Sequence, residues 1–136
     1  MSLQRILAFN ISQADHAAVV RAAILGKTRA YFVTAADYDQ TLGDLLQAKE
    51  LPIGAYEGEI PPESMVLMCN LTGGQVSNVL MSLRKSGAQV TYKAVLTPTN
   101  LGWTPPQMLE EMAKEKAQFD AMAKEKQQAS SAEEEK

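Results

Sequence analysis

The sequence predicts an α/β fold: two tandem βαβα repeats forming a four-stranded, mainly parallel sheet with flanking helices. Two observations carry this. Apolar runs of strand length alternate with stretches of helical periodicity, the pattern of βαβ units. The two halves also match in order at an offset of about 60 residues, the mark of an internal repeat.

The first strand of each half is the plainest element. Ile6-Leu7-Ala8-Phe9-Asn10-Ile11-Ser12 answers Val66-Leu67-Met68-Cys69-Asn70-Leu71-Thr72: an apolar run, then Asn, an aliphatic residue and a hydroxyl. Ser12 and Thr72 stand where a side-chain oxygen caps a helix. Asp15 and Gln75 follow three residues later as in a capping box, Gln75 being the better match. The helices they open run to about Leu25 and Ser86, with Gly26 and Gly87 to close them. Arg29–Thr34 then answers Val90–Thr97 as the second strand of each half. A further helix follows each, from Gln40 to Gln47 and from Gln107 onward, with Leu45-Leu46 answering Met108-Leu109. The last helix has the strongest start: Thr104 as cap, Pro105 at its first position, Gln107 at the third, and Trp103 placed to pack on Met108.

Alternating strands and helices imply parallel pairing with right-handed crossovers. The first and third strands are continuously apolar, as central strands are, and the fourth mixes in Thr91 and Lys93, as an edge strand can. A strand order of 2-1-3-4 suits these assignments. The alternative is a ferredoxin-like α+β sheet, in which a short strand near Gly54-Ala55-Tyr56-Glu57 changes the pairing. Lys49–Pro62, punctuated by Pro and Gly, reads as an ordered connector. Residues 1–112 form one domain, with repeat halves at about 3–48 and 63–112. Residues 113–136 are a charged helical tail, mostly solvated beyond Met112 and disordered from Gln127.

The chain has 136 residues, 46% hydrophobic and 21% charged, and a net charge of −3, the composition of an ordinary globular domain with one core. The whole deficit lies in residues 105–136, and residues 1–104 balance. A balanced domain lacks the basic excess that neutralises a phosphate backbone, so no nucleic-acid partner is expected. A lone cysteine, Cys69, sits in an apolar run, which excludes an intramolecular disulfide and fits a reducing, cytoplasmic setting. No apolar run approaches the roughly 20 residues that cross a bilayer, so no membrane association is expected.

Several segments resemble a known family. Gln40-Thr41-Leu42-Gly43-Asp44-Leu45-Leu46, Tyr56-Glu57-Gly58-Glu59, and above all Lys93-Ala94-Val95-Leu96-Thr97-Pro98-Thr99-Asn100 with Trp103-Thr104 and Leu109-Glu110-Glu111, are similar to small bacterial proteins catalogued only as a domain of unknown function. The resemblance spans roughly residues 5–115 and implies a bacterial origin. It brings no activity, cofactor or catalytic residue.

In an open parallel sheet, ligands bind beyond the carboxyl ends of the strands. Four segments are expected to meet there, at Asn10–Gln13, Thr34–Asp37, Asn70–Gly74 and Thr97–Trp103. Thr97, Thr99, Asn100 and Trp103 carry more polar equipment than a plain turn needs, yet the same residues fix a turn and start a helix. Asn10 and Asn70 sit at the same edge. His16, the only histidine, takes the place of Val76 at the head of its helix. There it serves either as a general base or anion ligand, or as a partly exposed structural residue. Gly73-Gly74 falls short of a phosphate-loop pattern. No metal, cofactor or catalytic residue is expected: Asp37 and Asp39 read as helix-capping acids, and Cys69 is buried. The expected role is a noncatalytic binding or regulatory module that takes a small polar ligand or a partner protein at this edge. The alternative is an assembly module acting through its C-terminal helix, where Phe119 and Met122 fit a homodimer or another partner. A small enzyme ranks third.

Overall fold

The computed structural model describes residues 3–134, with side chains through Ala123. The chain runs β1 (Arg5–Phe9), α1 (His16–Leu25), β2 (Ala30–Val33), α2 (Leu42–Gln47), β3 (Met65–Cys69), α3 (Gly73–Ser86), β4 (Tyr92–Val95) and α4 (Pro105–Glu134). The strands form one open sheet in the order β2-β1-β3-β4. β1 and β3 are fully buried, as their unbroken apolar sequences require.

Two layers cover the sheet. On one face α1 and α3 pack together over Ile6, Ala8, Val66 and Met68. On the other, α2, the connector and the first turns of α4 cover Leu7, Phe9, Met65 and Leu67. The capping box forms at Thr72 and Gln75. At Ser12 it does not: the hydroxyl donates to the Asp15 carboxylate and α1 is preceded by a 3-10 turn at Gln13–Asp15. A short acid cannot reach back to the backbone as Gln75 does. Gly87 closes α3 in the left-handed region at φ 73°. Gly26 does not, since Lys27 carries the positive φ. Gly26 is needed for contact, because a Cβ there would lie 2.6 Å from Val79 Cγ2.

The strand order is as the sequence predicts, with both outer pairs parallel, but the central pair is antiparallel. The reason lies in the connector. α2 is only six residues long and its last carbonyls are held by Arg5, at the start of β1. The chain then climbs back, and Asn10, at the end of β1, holds the carbonyls of Pro61 and Pro62. A stretch of this length reaches about 45 Å when extended, far more than one strand's height, so β3 starts where β2 ended. Residues 54–57 form no strand, which removes the ferredoxin-like alternative. The tail helix α4 runs through Glu134. No Gly or Pro interrupts it, and Ala, Gln, Lys and Glu are good helix formers. Glu135 and Lys136 lie outside the described residues.

Candidate functional site

The antiparallel centre divides the expected site between two ends of the sheet. Asn10, His16 and the Thr34 loop lie beyond the carboxyl ends of β1 and β2, while Asn70 and Thr97–Trp103 lie beyond those of β3 and β4, at the opposite end. The four segments do not converge.

Three of the candidate residues are occupied by the fold. Asn10 and Asn70 both adopt left-handed backbone, φ 55° and 59°, which Asn tolerates better than most residues. Asn10 Nδ2 donates to the carbonyls of Pro62 (2.8 Å) and Pro61 (3.2 Å), and Asn70 Nδ2 to that of Leu3 (2.7 Å). Each clamps the segment that leads into the other half's first strand. His16 stacks on Phe32 with ring centroids 4.1 Å apart, and its Nε2 donates to the Ile11 carbonyl at 3.2 Å. A ring held this way is a packing element.

The loop after β4 does line an opening. β4 bonds to β3 through Tyr92 and Leu96, so by the alternation of a strand the backbone of Lys93, Val95 and Thr97 faces outward, along the free edge. Asn100 closes part of that edge. Its Nδ2 donates to the Val95 carbonyl (3.2 Å) and its Oδ1 accepts from the Thr97 N–H (2.9 Å), while its own N–H donates to Thr97 Oγ1 (3.2 Å). The side-chain amide does what a neighbouring strand's peptide group would, and the residue is only 6% exposed. The loop also caps α2, whose Leu42 and Gly43 N–H groups donate to the carbonyls of Trp103 and Leu101. Beside it, between the β4 edge and α4, lies a groove of about 380 Å³ lined chiefly by Val95, Thr97, Thr99, Trp103, Met108 and Met112, with charges from Lys93, Glu111 and Glu115.

Sequence reasoning found Thr97, Thr99, Asn100 and Trp103, which the structure brings to this one groove, but missed the apolar side. Val95 stands in a strand read as an edge, and Met108 is read only as the packing partner of Trp103. Among the described residues no group of three His, Cys, Asp or Glu side chains could hold a metal. Cys69 is fully buried and burial pushes its thiol up to about 12, the opposite of an activated nucleophile.

The groove falls wholly within a recognisable segment. Residues 64–119 match the family described as a domain of unknown function (DUF3783). That fits the resemblance seen in the Lys93–Asn100 stretch, but the matched segment begins at β3 and leaves out the first half. The comparisons with curated proteins and with solved structures gave no match. No helix among the described residues is long and apolar enough to cross a membrane.

Proposed function

We propose that this chain is a noncatalytic binding module that takes an extended segment of a partner protein in the groove between β4 and α4. One observation carries the reading: the groove opens along the outward backbone of an edge strand and is lined by Val95, Trp103, Met108 and Met112, while its best polar group, the Asn100 amide, is already bonded within the loop. Free strand edges add strands from partners, and apolar pockets beside them read alternate side chains. A small polar ligand fits less well, because the walls are largely apolar and the Asn100 amide, with one Oδ1 lone pair and one Nδ2 N–H already bonded in the loop, keeps only one of each. A cytoplasmic setting suits this reading, since the lone thiol needs no oxidising compartment.

The test is selection of displayed random peptides on the immobilised full chain, with counter-selection on Val95→Arg. Val95 is 43% exposed and lines the groove from the edge strand, so the substitution sets a long charged side chain at that edge without disturbing the core. Peptides that bind the parent and not the variant are expected. A selection that yields no groove-dependent binder sinks the reading.

A second reading rests on a separate observation. Phe119 and Met122, 73% and 63% exposed, continue the face of α4 that buries Met108 and packs Met112. Seven residues separate Met112 from Phe119, the spacing of a coiled-coil seam. The partner proposed for this face is a second copy of α4. Light scattering of the full chain and of Phe119→Lys/Met122→Lys tests it: a dimer that becomes a monomer supports self-association, and a monomeric parent excludes it.

A further inference from the structure

The groove has a counterpart in the first half of the chain, and that counterpart is filled. β1 and β3 pair so that Leu7 faces Leu67, and these two hold the same position in the two halves at the offset of sixty. This is the register a two-fold axis between the strands requires. The second strands obey it as well. Ile6 pairs with Ala30 and Val66 with Lys93, so β2 and β4 correspond at an offset of sixty-three. That offset carries Thr34 onto Thr97, Asp37 onto Asn100, Thr41 onto Thr104, and the buried pair Leu45-Leu46 onto Met108-Leu109. Asp37 and Asn100 are the two buried polar residues of their loops, 0% and 6% exposed.

In the first half the connector lies on this position. Asp37 Oδ1 accepts from the backbone N–H groups of Ile53 and Gly54, each at 2.7 Å. The neighbouring Ala36 carbonyl accepts from Tyr56 N–H at 2.9 Å. Leu51 and Tyr56 pack against the cluster that covers this face of the sheet. Gly54 is held so close that a Cβ would lie 2.7 Å from the Ala36 carbonyl oxygen and 2.6 Å from Asp39 Oδ1, which admits glycine alone. The second half offers the same receptor atoms, the Asn100 Oδ1 and the Thr99 carbonyl. Its chain, however, continues as the helix α4 and never folds back. The first groove is occupied because α2 stops at Gln47 and frees the connector. The second is open because α4 does not stop.

We infer that the β4–α4 groove takes a partner segment with the chemistry of Leu51–Tyr56, an extended stretch of bulky aliphatic, proline, glycine and aromatic residues whose backbone N–H groups donate to Asn100 Oδ1 and the Thr99 carbonyl. The inference rests on the protein-binding reading and specifies its ligand. Asn100 Oδ1 already accepts from Thr97 N–H and keeps one lone pair, where Asp37 Oδ1 accepts two connector bonds. The open groove therefore holds such a segment more weakly than the first half holds its own.

The chain's own connector supplies the probe. A synthetic peptide of residues 49–60, blocked at both ends, is titrated into the isotope-labelled full chain and amide resonances are followed. Saturable shifts are expected at residues 95–103 and 108–112, with an affinity of about millimolar, on the scale of a short segment that must be ordered on binding. Val95→Arg and the exposed-loop variant Thr99→Arg should each remove them. A peptide carrying Gly54→Val should bind at least about tenfold more weakly, since its side chain meets the carbonyl it must approach. Absence of shifts in the groove overturns the inference, as do shifts confined to residues 36 and 37 and the connector, which show the peptide exchanging with its own copy. If displayed peptides of another pattern bind the groove while this one does not, the inference falls and the protein-binding reading stands. If neither binds, both fall.

Discussion

Asp37 holds the first half of the chain closed with one carboxylate oxygen. Its Oδ1 satisfies two backbone N–H groups, and its buried Oδ2 has no hydrogen-bond partner among the described residues. Asp37→Ala orphans both N–H groups and is expected to cost about 2–3 kcal/mol, the scale of lost hydrogen bonds to a charged group. Asp37→Asn keeps the accepting oxygen and replaces the unpartnered one with a donor, as at Asn100. It should lie within about 1 kcal/mol of the parent by urea unfolding, because the two connector bonds weaken from charge-assisted to neutral while a buried charge with an unpartnered oxygen is removed. A large loss in Asp37→Asn contradicts this account. Asn100→Ala frees the Val95 carbonyl and the Thr97 N–H and should cost about 2 kcal/mol. The sequence placed Asn100 in the right loop, because Pro98, Asn100 and Thr104 are strong turn and cap signals. It was silent on whether the amide faces a ligand or the backbone, since both uses call for the same residue.

The short α2 shows what an element can owe to its surroundings. Six residues are too few to persist alone. Its first N–H groups are taken by the Trp103 and Leu101 carbonyls, and its last carbonyls by the Arg5 guanidinium, which also lies 4.0 Å over the Tyr31 ring. Arg5→Met keeps the apolar stem and removes both contacts. It should destabilise by about 2 kcal/mol and speed hydrogen exchange in α2 ahead of α1 and α3. Equal acceleration across all helices would show that Arg5 supports the whole core instead. The helix itself was legible from the Leu45-Leu46 pair that answers Met108-Leu109. Its two tertiary caps were not, because they come from residues some forty to sixty positions away.

The whole molecule responds to alkali through two buried acids. Burial pushes Tyr38 from 10.0 to about 12 and Cys69 from 9.0 to about 12. Both folded values lie above the unfolded ones, so in this window the folded chain keeps protons that the unfolded chain has lost. Their contribution is intact below about pH 9 and is lost as pH rises towards 12. Urea midpoints should therefore be level up to about pH 9 and fall above it. Thiol reagents should leave native Cys69 unmodified at pH 8 and react on unfolding. Reaction of the native thiol at the unfolded rate overturns the buried placement.

By itself the sequence determined the elements and the loop that lines the groove, and it suited the order they take in the sheet. Each is written in short-range chemistry: apolar period, cap residues, prolines, and the polar residues that mark an edge strand. Only the tertiary structure decided the direction of β3, and with it which strand ends share a side. That choice is made by the path of a long connector fastened at Arg5, Asp37 and Asn10, and a parallel or an antiparallel centre buries the same Val, Leu and Met side chains equally well. Nothing local distinguishes the two, so the expected single site divided into a filled end and an open one.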